Sequence, residues 1–118
     1  ALRAAGLSRA KVAFLRDLAE RSSDGRLDLP SLDGRTDVEV AQAIMEVKGL
    51  GRWSADMFLM FKLVRPDILP IGDLGIVKGL QKLWGMRTAP RPVTMIRRAE
   101  VWRPYRSVAS WYVWRIHE

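Results

Sequence analysis

The chain has 118 residues, 48% of them hydrophobic, with 20 Lys plus Arg against 13 Asp plus Glu and a net charge of +7. That length supports one domain with one modest core, and that apolar content excludes a disordered tail. There is no cysteine, which excludes a disulfide framework, a thiolate zinc site and a cysteine-ligated iron–sulfur cluster; the one histidine, His117, argues against a multi-histidine metal site and a Ser-His-Asp triad within this chain.

The positive balance fits an anionic partner such as nucleic acid, although plain solubility accounts for many small basic domains. No apolar run approaches the roughly 18 residues that span a membrane, and no signal peptide is visible. The absence of cysteine fits a reducing cytoplasm. The chain begins at Ala1 inside what reads as a helix, so a fragment of a longer protein is expected.

In chain order, the first segment, Leu2 to Arg21, has apolar residues at helical spacing: Ala10, Phe14 and Leu18, with Val12, Leu15 and Ala19. Ser8 stands where an N-cap would. Ser22 to Gly25 end this helix. Arg26 to Gly34 reads as a loop tacked to the core by Leu27, Leu29 and Leu32. Thr36-Asp37-Val38-Glu39 is a capping box, in which the threonine hydroxyl and the glutamate carboxylate satisfy each other's orphan amides. The helix behind it turns Val40, Ala43, Ile44 and Val47 inward. Gly49-Leu50-Gly51 breaks it, and a third helix runs from about Arg52 to Lys62, ended by Arg65-Pro66.

Asp73 follows the Pro70-Ile71-Gly72 turn and opens a fourth helix through Trp84, with Gly85 as its C′ residue and Leu74, Val77 and Leu80 as its core face. Arg87 to Pro92 is an irregular link. Thr94 to Trp102 reads as helical, and Pro104 as the first residue of a last helix through about Arg115. No alternating strand pattern of useful length is present, so the expected fold is all-α, a multi-helix bundle.

Two segments carry chemistry. Val47-Lys48-Gly49-Leu50-Gly51-Arg52 joins two helices by a linker too short for an ordinary turn unless glycine permits unusual angles. Two glycines let backbone approach a ligand closely. The amides at the start of the next helix, with the positive end of its dipole, make a phosphate site flanked by Lys48 and Arg52. A plain glycine C-cap leading into the next helix is the competing reading. The second segment is Leu69 to Gly75. Alone, Asp73 reads as an N-cap, a position that also presents its carboxylate at a cleft edge. Trp53, Trp84, Trp102, Trp111 and Trp114 sit mostly at helical spacing, which core packing explains by default.

Together these residues carry a resemblance. VKGLGRWSA, from Val47 to Ala55, resembles the hairpin of the helix-hairpin-helix/Gly-Pro-Asp superfamily of DNA glycosylases, with Lys48 where that pattern has proline. Gly72-Asp73-Leu74-Gly75 and the segment from Trp102 through Arg103-Pro104-Tyr105-Arg106-Ser107 to Trp114 resemble the 3-methyladenine DNA glycosylase II branch, in the same order. The likeness covers nearly the whole chain and implies that residues 1–118 are the C-terminal part of such a domain, lacking the half that supplies the wedge residue.

The resemblance implies a monofunctional N-glycosylase of base excision repair acting on alkylated purines in damaged double-stranded DNA. Asp73 would be the catalytic carboxylate. Lys48, Gly49, Leu50, Gly51 and Arg52 would hold backbone phosphate, and Trp53, Met57 and Trp114 would line the base pocket, with Met57 where a tyrosine is common. Trp53 stands where strand-nicking relatives carry a lysine nucleophile. No catalytic metal or cofactor is implied. A monovalent cation on the hairpin carbonyls of Val47 and Gly49 is, and the location would be a bacterial nucleoid or a eukaryotic nucleus. The competing function is a non-catalytic helix-hairpin-helix module that grips DNA backbone without sequence preference.

Overall fold

Local sequence signals set most of the helix ends. The computed structural model describes residues 9–117, and every regular element among them is helical. Ser8, expected as a cap, lies outside the described residues, as does the beginning of the first segment. The described chain divides into two units, one ending at Ala55 and the other beginning at Asp56.

In the first unit, α1 (Arg9–Ser23) buries a narrower face than its apolar spacing predicts. Val12 is buried and Phe14 and Leu18 are half-buried, but Ala10, Leu15 and Ala19 are exposed. The loop beyond contains a 3-10 turn over Leu29–Gly34. Leu27 and Leu32 anchor it, whereas Leu29 faces solvent. The capping box of α2 (Asp37–Met45) is complete: the Thr36 hydroxyl accepts from the Glu39 amide at 3.2 Å, and the Thr36 amide donates to the Glu39 carboxylate at 3.1 Å. Val40, Ala41 and Ile44 of α2 and Val47 beyond it are buried, with Ala43 half-buried.

The chain passes into the second unit within α3 (Arg52–Met57), which continues as a π-helical turn over Phe58–Lys62. The Leu63 amide reaches back to the Phe58 carbonyl at 3.1 Å, one residue further than an α-helix allows. Leu59 and Met60 are buried and Phe61 is 59% exposed. Val64 follows at φ 55, a left-handed conformation that costs a β-branched residue on the order of 1–2 kcal/mol.

Three helices complete this unit: α4 (Leu74–Leu83), α5 (Pro92–Arg98), which runs into a 3-10 turn over Ala99–Trp102, and α6 (Arg106–His117). Leu69, Ile76, Leu80, Met95, Ala99 and Val113 form its core, with Trp84, Trp102 and Trp114 partly buried against it. Trp84 and Trp102 stack at 6.3 Å, and the Arg98 guanidinium lies over the Trp84 ring at 5.0 Å, so core packing does account for these two tryptophans.

Three expectations are corrected. Leu74 is not core but 64% exposed; the inward stripe of α4 is Ile76, Gly79 and Leu80. Hydropathy does not register Gly79 as interior, yet a Cβ there would lie 2.6 Å from the Val113 Cγ1 and carbonyl oxygen. The missing side chain is what lets α4 and α6 approach so closely. Pro104 does not start the last helix; it sits in a turn after a cis peptide bond, and α6 begins at Arg106. Pro92, placed in the irregular link, is instead the first residue of α5, where its fixed φ suits a helix start.

Candidate active site and hairpin

The second unit builds its carboxylate site from the loop upward. Leu69 and Pro70 are buried and anchor the turn. The Ile71 amide closes onto the Leu69 carbonyl at 2.9 Å and the Asp73 amide onto that of Pro70 at 3.0 Å. Asp73 is left extended at φ −87 and ψ 123, outside α4 and partly buried. Its Oδ2 accepts the Ile76 amide at 3.0 Å, so it caps α4. The same oxygen accepts the indole Nε1–H of Trp114 at 2.7 Å.

That second bond depends on glycine. A Cβ on Gly75 would lie 3.0 Å from Trp114 Cδ1 and 3.2 Å from Asp73 Oδ2. Gly75 gives the indole its room, and Gly79, one turn on, gives room to the preceding residue of α6, Val113. The Trp114 ring also stacks on Phe61 at 5.9 Å with 22° between planes. A partly buried carboxylate, an indole bonded to it and an exposed phenyl ring are therefore linked in series.

The start of α6 is clipped to the loop leading into this site. Asp67 accepts the Arg106 guanidinium at 2.7 and 3.2 Å and the Arg106 amide at 3.2 Å. The Ser107 hydroxyl donates to the Arg65 carbonyl at 2.7 Å and accepts from the Ile68 amide at 2.8 Å. Arg106 is thus a structural ion-pair partner, and Arg103 pairs with Glu100 and Asp67. Partial burial pushes the Asp67 carboxyl up, but the hydrogen bonds and charge of Arg106, with the charge of Arg103, outweigh it and hold the group below the usual carboxylate range.

In the first unit, the hairpin glycines do different work. Gly49 takes φ 85, the left-handed conformation expected of the linker, and its backbone packs on Phe14 of α1. Gly51 has no positive φ, and a Cβ there would meet nothing within 4 Å. Nothing among the described residues therefore demands glycine at position 51. Leu50 is half-buried, and its amide donates to the Val47 carbonyl at 3.1 Å. Lys48 and Arg52 are exposed. The Lys48 amide donates to Asp17 Oδ2 at 2.7 Å.

Of the remaining expected site residues, Trp53 lies in the first unit and is 51% exposed, and Met57 lies in the second, half-buried. Sequence reasoning did not single out Phe61 or Asp17, and it named Gly75 only within the Gly72-Asp73-Leu74-Gly75 motif. Up to Ala55 there are nine basic against eight acidic residues, whereas from Asp56 on there are eleven against five. No acid stands between Asp73 and Glu100, a stretch holding Lys78, Lys82, Arg87, Arg91, Arg97 and Arg98. Among the described residues, no three His, Cys, Asp or Glu side chains gather as a metal site, and no helix is long and apolar enough to cross a membrane.

Comparison with known proteins gives a consistent family. No family model matches the chain. It is 31% identical over 115 residues to DNA-3-methyladenine glycosylase 1 of Schizosaccharomyces pombe, covering 97% of this chain and 50% of that protein. It is also 31% identical to DNA-3-methyladenine glycosylase 2 of Escherichia coli, covering 97% of this chain and 37% of that one. Among solved structures, the S. pombe 3-methyladenine DNA glycosylase in complex with abasic DNA superposes with a TM-score of 0.86, over 96% of this chain and 55% of that chain. A DNA-3-methyladenine glycosidase from Bacillus halodurans superposes with a TM-score of 0.88 at 36% identity, over 98% of this chain and 54% of that one. The chain spans 37% to 55% of the length of these relatives. Over that length the resemblance to helix-hairpin-helix DNA glycosylases holds in both sequence and fold.

Proposed function

We propose that this chain, a homologue of the DNA-3-methyladenine glycosylases, is the part of a monofunctional base-excision enzyme that carries the catalytic carboxylate, Asp73, and hydrolyses the N-glycosidic bond of alkylated purines. The single observation behind this reading is the bond from Trp114 Nε1 to Asp73 Oδ2 at 2.7 Å, beside the exposed Phe61 ring. The capping oxygen is held by a second donor beside an aromatic surface, an arrangement suited to a carboxylate that faces a stacked base.

In the proposed reaction, the bond from the base nitrogen to the sugar C1′ breaks and its electron pair leaves with the base. An alkylated purine already carries positive charge, so it departs as a neutral molecule without a general acid. Positive character grows on the sugar, and a fixed carboxylate stabilises it. A water oxygen then bonds to C1′, and Asp73 takes the proton that water gives up. The Ile76 amide and the Trp114 indole hold Asp73 in place and cost no reorganisation during the reaction. Electron-rich faces beside a carboxylate favour a cationic base over a neutral one. Met57, in the same unit, is a further proposed contact of the base.

The hairpin would hold a DNA backbone phosphate through Lys48, Gly49, Leu50, Gly51 and Arg52. Gly51 supports this, since a glycine that the fold does not require suits close approach by a ligand. The Val47 carbonyl uses one lone pair on the Leu50 amide. Its second, with the Gly49 carbonyl, suits a hard monovalent cation next to that phosphate, with no part in the chemistry. Release of free methylated purines from alkylated duplex DNA tests the proposal. Release that depends on Asp73 supports it; binding to DNA without release by the full-length protein indicates a non-catalytic module instead.

A further inference from the structure

α1 grips the hairpin at two points three residues apart, hence on one helix face. Phe14 lies under Gly49, where a Cβ would sit 3.4 Å from the Phe14 Cβ. Asp17 Oδ2 accepts the Lys48 amide at 2.7 Å. The same oxygen takes the Arg21 Nε–H at 3.0 Å, and Arg21 reaches on to Glu46, just beyond α2, at 3.4 Å. The chain Lys48–Asp17–Arg21–Glu46 therefore ties both sides of the hairpin's first half to one helix. The Lys48 amide, ahead of the Arg21 guanidinium, holds the Asp17 carboxyl below the usual range.

This arrangement is costly for a DNA contact on simple charge grounds. A carboxylate beside a phosphate site repels the phosphate, and the Arg21 charge offsets that only in part. A side chain kept there must return something in geometry. Gly49 is left-handed, and the amide just before it is the one that Asp17 binds.

We infer that Asp17 is the positioning residue of the hairpin, its carboxylate fixing Lys48 and Gly49 in the conformation that receives phosphate. This rests on the proposed role of the hairpin in DNA binding. The sign of the effect separates positioning from charge. Removing a negative side chain near DNA should tighten binding if Asp17 acts only through its charge, and should loosen it if Asp17 shapes the hairpin.

The test is the affinity of this chain for a short labelled DNA duplex at fixed salt, with the Lys48 amide followed by proton exchange. Asp17→Ala is expected to weaken binding about tenfold, the scale of one charged hydrogen bond, and to speed Lys48 amide exchange. Asp17→Asn keeps an acceptor oxygen and is expected to restore binding to the wild-type level or better. Lys48→Pro removes the amide donor while stiffening the backbone, and in that background Asp17→Ala should have no further effect. Unchanged or tighter binding by Asp17→Ala, or an equal loss in both backgrounds, overturns the inference. Lys48→Gln combined with Arg52→Gln keeps the two claims apart. If that pair leaves duplex affinity unchanged, the DNA role of the hairpin has failed, and Lys48 amide exchange alone then judges Asp17.

Discussion

Trp114 donates its indole N–H to Asp73 across 41 residues of sequence and 2.7 Å of space. The contact joins the start of α4 to the last turns of α6, and Gly75 leaves the gap that makes it. It places a hydrogen-bond donor on the oxygen that also caps α4, so the carboxylate is oriented from two sides.

Trp114→Phe keeps a ring for Phe61 to stack on and removes the donor. A hydrogen bond to a charged group contributes about 1.5–3 kcal/mol. The expected result is a fall in kcat for base release of roughly tenfold to a hundredfold, with little change in the affinity for DNA. Single-turnover release measures the first and equilibrium titration of a duplex the second.

Gly79→Ala places a methyl group 2.6 Å from Val113 backbone and side-chain atoms. Backbone cannot yield as a flexible side chain does, so α4 and α6 must part. A loss of about 1–3 kcal/mol in unfolding free energy is expected, read from the midpoint of urea denaturation. Gly75→Ala acts more locally. Its methyl would lie 3.0 Å from the indole, so the expected effect is on release rate more than on stability.

The pairing of Asp67 with Arg106 sets an acid limit. The folded-state pKa of Asp67 lies below its unfolded value. The stability it contributes is therefore complete above the unfolded pKa of about 4 and is lost as pH falls through the folded value. Thermal melts are expected to drop below about pH 4, and Asp67→Asn should lower the melting temperature at neutral pH while flattening that acid drop.

Thr36→Ala removes one half of the reciprocal cap on α2. A loss of about 1 kcal/mol is expected from denaturant titration.

What was legible in the sequence was local. The Thr36–Glu39 box, the capping role of Asp73 and the left-handed Gly85 each depend on residues within a turn of one another, and each is present. The α4 face was misread at Leu74 because apolar spacing cannot show that a glycine, Gly79, is the interior residue. The π-helical turn at Phe58–Lys62, which leaves Phe61 on the surface, has no compositional mark. Asp17 and Lys48 are 31 residues apart, and nothing near Asp17 distinguishes it from any solvated helix acid. The Asp73–Trp114 pair lies between these extremes. Both residues were singled out by resemblance as carboxylate and pocket wall, but their hydrogen bond required the packing of α4 on α6.

The measurement that bears most directly on the central claim compares this chain with its Asp73→Asn variant on alkylated duplex DNA, following both free methylated purine and DNA affinity. Asparagine still caps α4, so folding is preserved and the comparison isolates the charge. The account predicts purine release by the wild-type chain, none by the variant, and duplex affinity unchanged or higher in the variant. Equal release by the wild-type chain and the variant would contradict Asp73 as the catalytic carboxylate.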